Sequence, residues 1–259
     1  MAGKVRKGIV YFIGAGPGDP ELITVKGLRL LREADLVLYA GSLVNPELLR
    51  NVKEGVPCRD TAVLTLEEMV DLITEGVAAG KRVVRLHSGD PALYGALQEQ
   101  LDLLAARGIP YEIVPGVSSF LAAAALLGRE LTVPGGTQTV ILTRQGGRTP
   151  VPASESLREL SRHRATTCLF LSAHLLPQAV ADLRAHFPPE TPAAIVARAS
   201  WPGARVIRGN LADLETKARE AGISRTALVF VGDFLGERRA RSLLYDPSFA
   251  HGYRGGKRG

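Results

Sequence analysis

Apolar and polar positions along the chain fall into two alternating regimes. Short β-rich apolar runs alternate with longer stretches whose apolar residues recur every three to four positions. Ile9–Ile13 is such a run and ends in GAGPGDP. Glu21–Arg32 then places Leu22, Val25, Leu28 and Leu31 on one helical stripe. Asp35–Tyr39 predicts a second strand. Thr65, with Glu67 and Glu68 behind it, predicts the N-cap and first turn of a helix running to Ala79. Arg82–Leu86 predicts a third strand, followed by SGDPALYG and a helix to Ala106. Pro110–Val114 predicts a fourth, followed by PGVSS and an Ala/Leu-rich helix through Leu127. Four short apolar strands with helical crossovers predict an α/β fold whose mostly parallel sheet is covered on both faces.

Past TVPGGT (132–137), the best candidate linker, the character changes. Thr139–Thr143 predicts a strand, followed by the polar loop RQGGRTPVP. Leu157–His163 reads as helix, Thr167–Leu171 as strand and His174–His186 as helix. Ala193–Ala197 and Arg205–Arg208 are two strands joined through a short WPG region. Leu211–Ala221 reads as helix and Thr226–Val231 as the last strand. Two strands so close in sequence predict antiparallel pairing, hence a mixed sheet with flanking helices. The expected organisation is an N-terminal domain over 1–132, a C-terminal domain over 137–236 and a basic tail over 237–259.

Composition narrows the class. With 46% hydrophobic and 22% charged residues, the chain of 259 residues is too apolar to be disordered. Its longest apolar stretch, Phe120–Leu127, is far short of the roughly 20 residues that span a bilayer. The basic start (Lys4, Arg6, Lys7) runs into an apolar segment too short for a signal-peptide core. Two cysteines, Cys58 and Cys168, make no disulfide framework. The expectation is a soluble, reduced, cytoplasmic protein with no membrane partner. The net charge of +6 raises the question of nucleic acid. Six Lys/Arg and only two acids fall in the tail, leaving a nearly neutral body of 26 bases and 24 acids. A solvated basic end, including the closing GGKRG, is therefore preferred to a nucleic-acid partner.

GAGPGDP follows the first strand, where open α/β sheets bind ligands. It is not a dinucleotide fingerprint. The third glycine position is Asp19, Pro17 lacks an N–H, and the acid with the right spacing, Asp35, begins its strand instead of ending it. No Gly-Lys-Ser/Thr makes it a P-loop. Taken alone, GAGPGDP reads equally well as a tight structural turn. It is joined, however, by SGDP (88–91) and PGVSS (115–119) after two further strands. Three Gly/Pro-rich loops at one sheet edge predict a groove lined by backbone, suited to a flat, hydrogen-bonding ligand. Asp19 and Asp90 serve equally as helix N-caps. The histidines (87, 163, 174, 186, 251) show no metal spacing; His87 reads as a packed core residue and the cysteines as inert thiols. Ser118 and Ser119 lack a nucleophile elbow. A reaction without protein-bound metal or covalent catalyst, driven by a reactive cosubstrate and by positioning, is the expectation.

VYFIGAGPGDPELITVKG, LVLYAGSLVNPELL, RLHSGDPALYGA and EIVPGVSSFLAAAA closely resemble the tetrapyrrole (corrin/porphyrin) methyltransferases, which use S-adenosylmethionine (SAM). TQTVILTRQGGRTPVP, LFLSAH, ARASWPGARVIRGNLADL and LYDPSFAHGYR resemble, within that family, the precorrin-4 C11-methyltransferase type of vitamin B12 biosynthesis. The resemblance runs from Ile9 to Arg254 and implies the two-domain tetrapyrrole methylase fold, with the cosubstrate in a trough between the domains.

By motif, it implies SAM contacts at Pro17, at Ser88, Gly89 and Asp90, at Leu93, and at Ser118 and Ser119. In the second half it implies adenosine-side contacts at Leu171, Ala199 and Ala227. Many relatives carry Gly at the Ser88 position, which favours a backbone contact there. The product would be S-adenosylhomocysteine and the reaction a methyl transfer to C11 of precorrin-4 or cobalt-precorrin-4, by a homodimer. Arg144, Arg148 and Arg198 lie in the narrower motifs and are candidates for the acceptor's carboxylates, each equally readable as a surface charge. Trp201 is a candidate for packing on the macrocycle or for the core. The competing expectations are the same fold with uroporphyrinogen III or ribosomal RNA as acceptor, and a SAM-binding module without turnover. A catalytic acid or base is not identifiable from the sequence.

Overall fold

The computed structural model describes residues 8–237, 242, 244, 246, 248–250 and 252–255. The basic start (Lys4, Arg6, Lys7) and Arg238, Arg239, Arg241, Lys257 and Arg258 of the expected tail lie outside the described residues. The chain divides into two compact units, Met1–Ala122 and Ala123–Gly259.

Unit 1 runs β1 (Ile9–Gly14), α1 (Val25–Arg32), β2 (Leu36–Tyr39), β3 (Cys58–Asp60), α2 (Leu66–Ala78), β4 (Arg82–His87), α3 (Leu97–Ala106) and β5 (Tyr111–Val114). The strand order is β3-β2-β4-β1-β5 and every pairing is parallel. Parallel strands need apolar side chains on both faces, and the inner strands β1, β2 and β4 have them. Tyr11, Ile13, Val37, Val84 and Leu86 pack on Leu30 and Leu31 of α1. Val10, Phe12, Leu38 and Val83 face Val70 and Ile73 of α2 and Leu101 and Leu104 of α3.

The sheet has five strands where four were expected. The extra one, β3, is only three residues long, with one half-buried and two exposed positions. The expected helix Glu21–Arg32 is split. Asp19 and Pro20 open a 3₁₀ turn, and Thr24 accepts the Gly27 amide to restart the chain as α1. Thr65 caps α2 as expected, in a reciprocal capping box with Glu68. SGDPALYG runs on as a turn before α3, because Tyr94 and Ala96 take left-handed backbone. Helix α4 (Ser119–Leu127) carries the chain past residue 122.

Unit 2 contains β6 (Val140–Arg144), α5 (Leu157–Leu160), β7 (Thr166–Phe170), α6 (Leu176–Leu183), β8 (Pro192–Ala197), β9 (Arg205–Asn210), α7 (Leu214–Glu220) and β10 (Ala227–Val231). Its order is β6-β7-β10-β8-β9. β6 and β7 are parallel and the other pairs antiparallel, the mixed sheet that the close spacing of β8 and β9 predicts. Leu169, Ile195, Val229 and Val231 pack against Leu176, Val180, Leu183 and Leu214. α6 and α7 are shorter than expected. A 3₁₀ turn precedes α6, and Asn210 and Asp213 bond each other's amides in a turn before α7. Among the described residues, no helix is long and apolar enough to cross a membrane.

Candidate functional site

The three loops of unit 1 follow β1, β4 and β5, which lie side by side in the sheet and end at the same edge. Gly16 and Gly89 form a two-bond antiparallel bridge, with Gly89 N to Gly16 O at 2.8 Å and the return bond at 3.3 Å. A Cβ on Gly14 would lie 2.5 Å from the Gly116 Cα and 2.7 Å from the Gly89 carbonyl oxygen. The loops are thus pressed backbone to backbone, closer than any side chain allows.

Asp90 ties them together. One carboxylate oxygen accepts the Ala92 amide and the other the Gly116 amide, each at 2.8 Å. Asp19 accepts the Glu21 amide at 2.9 Å, and Asn45 Nδ2 donates to the Gly18 carbonyl at 2.8 Å. Pro17 and Gly89 are buried, as is Ser118; Ser88, Asp90, Leu93 and Ser119 are half-buried. All seven residues expected on this side therefore sit on one constellation of loops. The loops carry two acids, Asp19 and Asp90, and no Lys or Arg.

Beneath them, His87 and Arg85 are buried. Burial, with the nearby Arg85 charge, pushes the His87 pKa down to about 3, so the ring is neutral. Burial also pushes Arg85 down to about 10, against the pull of Asp60. The Asp60 carboxyl is held low by the amides of Ala62 and Gly41. Asp35, which failed as a ribose acid, pairs at the far end of β2 with Arg82. Its oxygens accept the Arg82 Nε at 2.8 Å, Nη2 at 2.9 Å and backbone amide at 2.9 Å.

In unit 2, the β7–β10 and β10–β8 registers put positions 171, 227 and 197 in line at one sheet end. Leu171 and Ala227 are at that end, and Ala199 follows two residues beyond β8. Leu171, Arg198, Ser200 and Thr226 all hold left-handed backbone there, with φ of 53°, 53°, 64° and 52°. For residues other than glycine this conformation costs on the order of 1–3 kcal/mol each, and it concentrates at functional sites. Leu171 is also 63% exposed, whereas Ala199 is buried.

The three candidate arginines differ. Arg144 donates Nη1 to the Thr149 carbonyl at 2.9 Å and Nη2 to the Pro150 carbonyl at 2.7 Å. Arg198 lies over the Trp201 ring, 5.3 Å from its centroid. Arg148 is exposed in the loop after β6.

Asn45, the Gly14–Gly116 contact and the left-handed Tyr94 and Ala96 were not singled out from the sequence. The Asn-Pro pair at 45–46 is a turn signal that marks Asn45, but its bond to Gly18 spans 27 residues and is invisible locally. A cavity of about 530 Å³ in unit 2 lies elsewhere, between Val133–Thr137, Arg164 and Asp233, and contains none of the expected site residues.

A family model for tetrapyrrole (corrin/porphyrin) methylases matches residues 9–215. The chain is 48% identical over 247 residues to a cobalt-precorrin-4 C(11)-methyltransferase from Methanocaldococcus jannaschii, with 95% of each chain covered. It is 49% identical over 249 residues to a precorrin-4 C(11)-methyltransferase from Pseudomonas aeruginosa, covering 96% of this chain and 99% of that one. Among solved structures, a cobalt precorrin-4 methyltransferase of cobalamin biosynthesis matches with a TM-score of 0.87 at 47% identity, over 91% of this chain and 100% of the other. A Thermus thermophilus uroporphyrin-III C-methyltransferase complexed with S-adenosylhomocysteine matches with a TM-score of 0.73 at 32% identity, over 88% and 98% of the two chains. The parallel sheet with its three interlocked loops, the mixed sheet behind it in sequence and these matches over nearly the whole length agree: the chain belongs to the tetrapyrrole (corrin/porphyrin) methylases.

Proposed function

We propose that the protein transfers a methyl group from SAM to C11 of precorrin-4 or cobalt-precorrin-4 in cobalamin biosynthesis. The observation that carries this reading is near-50% identity, end to end, with enzymes of that one reaction. The proposed cosubstrate contacts are Pro17, Ser88, Gly89, Asp90, Leu93, Ser118 and Ser119 in unit 1 and Leu171, Ala199 and Ala227 in unit 2. Backbone-lined loops that carry Asp19 and Asp90 and no Lys or Arg suit a cationic sulfonium.

SAM supplies an electrophilic methyl, and the reduced macrocycle supplies an electron-rich ring carbon. The protein's contribution is alignment, holding carbon and methyl near ~3–3.5 Å in line. Loops locked by Asp90 and by the Gly16–Gly89 bridge are pre-organised for that task. Arg148 and Arg198 are proposed to meet acceptor carboxylates. Action as a homodimer in the cytoplasm, without nucleic acid or protein-bound metal, completes the proposal.

The test is turnover with methyl-labelled SAM on precorrin-4, with and without cobalt, followed by NMR. Label at C11 is expected. Label at another ring carbon, or S-adenosylhomocysteine binding without any methyl transfer, would overturn the reading.

A further inference from the structure

We propose that Arg144 is a positioning residue. It folds the 145–150 loop on itself and thereby holds Arg148 outward for an acceptor carboxylate. The inference rests on the methyltransferase reading above and deepens it, replacing the expectation that Arg144 itself binds substrate.

Arg144 is the last residue of β6, and its side chain reaches forward over its own loop. Two of its N–H groups end on consecutive carbonyls, Thr149 at 2.9 Å and Pro150 at 2.7 Å. The Thr149 carbonyl also accepts the Gly147 amide at 3.3 Å. The segment needs such a clasp. Pro150 and Pro152 have no N–H to give, so no ladder can close this turn. A planar guanidinium presents two parallel donors to two adjacent carbonyls; an ammonium is a single point with no fixed fork.

The other end of the loop is anchored independently. The Gln145 amide donates to Ser172 Oγ at 2.8 Å, and the Ser172 hydroxyl donates to the Phe170 carbonyl at 2.6 Å. Gln145 Nε2 donates to Asp182 Oδ2 at 2.8 Å. Gln145 and Ser172 are both buried. Arg148 therefore sits between two fixed points, Gln145 at the root and Thr149 under the clasp. It is exposed and has no hydrogen-bond or ion-pair partner among the described residues. Because Arg144 spends its donors on neutral carbonyls, its charge is not cancelled, and the loop as a whole attracts anions.

Two readouts test this, with Arg144→Ala and Arg144→Lys compared on the full-length protein. Hydrogen exchange needs no substrate. The Gly147 amide, which donates to the Thr149 carbonyl, should exchange several-fold faster in both variants, while β7 and β10 keep their wild-type rates. Steady-state kinetics should show an acceptor KM raised several-fold in both variants, with kcat and S-adenosylhomocysteine affinity near wild type. On an Arg148→Ala background, Arg144→Ala should add less than twofold.

Unchanged loop exchange would overturn the clasp. Full recovery of KM by Arg144→Lys would show that charge alone matters, and multiplicative losses in the double variant would show that Arg144 touches the acceptor; either overturns the proposal. If wild-type protein methylates no tetrapyrrole, the functional reading has failed, and the exchange data alone judge the clasp.

Discussion

The Asp90 carboxylate accepts the Gly116 amide at 2.8 Å, joining the loop after β4 to the loop after β5 across 26 residues. The same carboxylate caps the Ala92 amide. Both oxygens thus accept from backbone N–H groups, one in its own loop and one in the neighbouring loop.

Asp90→Asn turns one oxygen into a donor pointed at an amide. We expect a loss of about 1–2 kcal/mol in stability, read from the urea midpoint at unchanged m-value. Calorimetry should show weaker S-adenosylhomocysteine binding in the same variant. Unaltered stability and affinity would mean the latch is dispensable.

Gly14→Ala puts a Cβ against the Gly116 Cα and the Gly89 carbonyl, both backbone. Overpacking of this kind costs about 1–3 kcal/mol. Thermal unfolding should register it, and S-adenosylhomocysteine affinity should fall. Gly136→Ala is the control, since its nearest neighbour would be Val133 at 3.5 Å; it should leave both measurements near wild type.

Asp35→Ala removes the bidentate partner of Arg82, whose side chain is only 17% exposed, and leaves it Glu33 alone, at 3.5 Å, at the end of the sheet away from the loops. A partly buried pair lies between the limits for exposed and buried ones, so the expected loss is about 1–3 kcal/mol. Affinity for S-adenosylhomocysteine should not change. A large drop in affinity would return Asp35 to the ligand site.

His87 gives the protein a pH signature. Its folded pKa, near 3, lies below the unfolded value near 6.5, so between these limits the unfolded chain binds the extra proton. This contribution is complete above pH 6.5 and is lost as pH falls toward 3, with a slope approaching about 1.4 kcal/mol per pH unit. His87→Gln should flatten the stability profile between pH 6.5 and 4.5 by close to one proton, measured by urea unfolding at several pH values. An unchanged slope would place the charge-sensitive group elsewhere.

The fold was legible wherever apolar periodicity was long and its ends were punctuated. Thr65 with Glu68, and the Gly/Pro loops after β1, β4 and β5, each announce themselves within a few residues. β3 escaped because three residues with little burial carry no period. The break at Thr24 escaped because the apolar stripe continues through it, and only the cap geometry reveals the restart. The candidate site was legible as a set of loops but not as a mechanism. Asp90 to Gly116, Asn45 to Gly18 and Asp35 to Arg82 are bonds between residues 26 to 47 positions apart. The role of Arg144 depends on a loop folding back on itself, which no spacing rule encodes.

The strand order of unit 1 also constrains how the chain acquires its shape. The interior strand β1 finds its partners only at β4 and β5, with Ile9 opposite Arg82 and Val10 opposite Tyr111. Closing such long loops costs chain entropy before any pairing offsets it, which slows folding. Unit 2 contains the opposite case, since β8 and β9 pair through a connection of seven residues, 198–204. Pulse-labelled refolding should therefore protect amides of β8 and β9 before those of β1. The interlocked loops, which need β1, β4 and β5 all in place, would be the last part of unit 1 to form. During synthesis the early strands would wait for most of unit 1 to emerge, a stage at which unpaired β1 is the segment most in need of a chaperone.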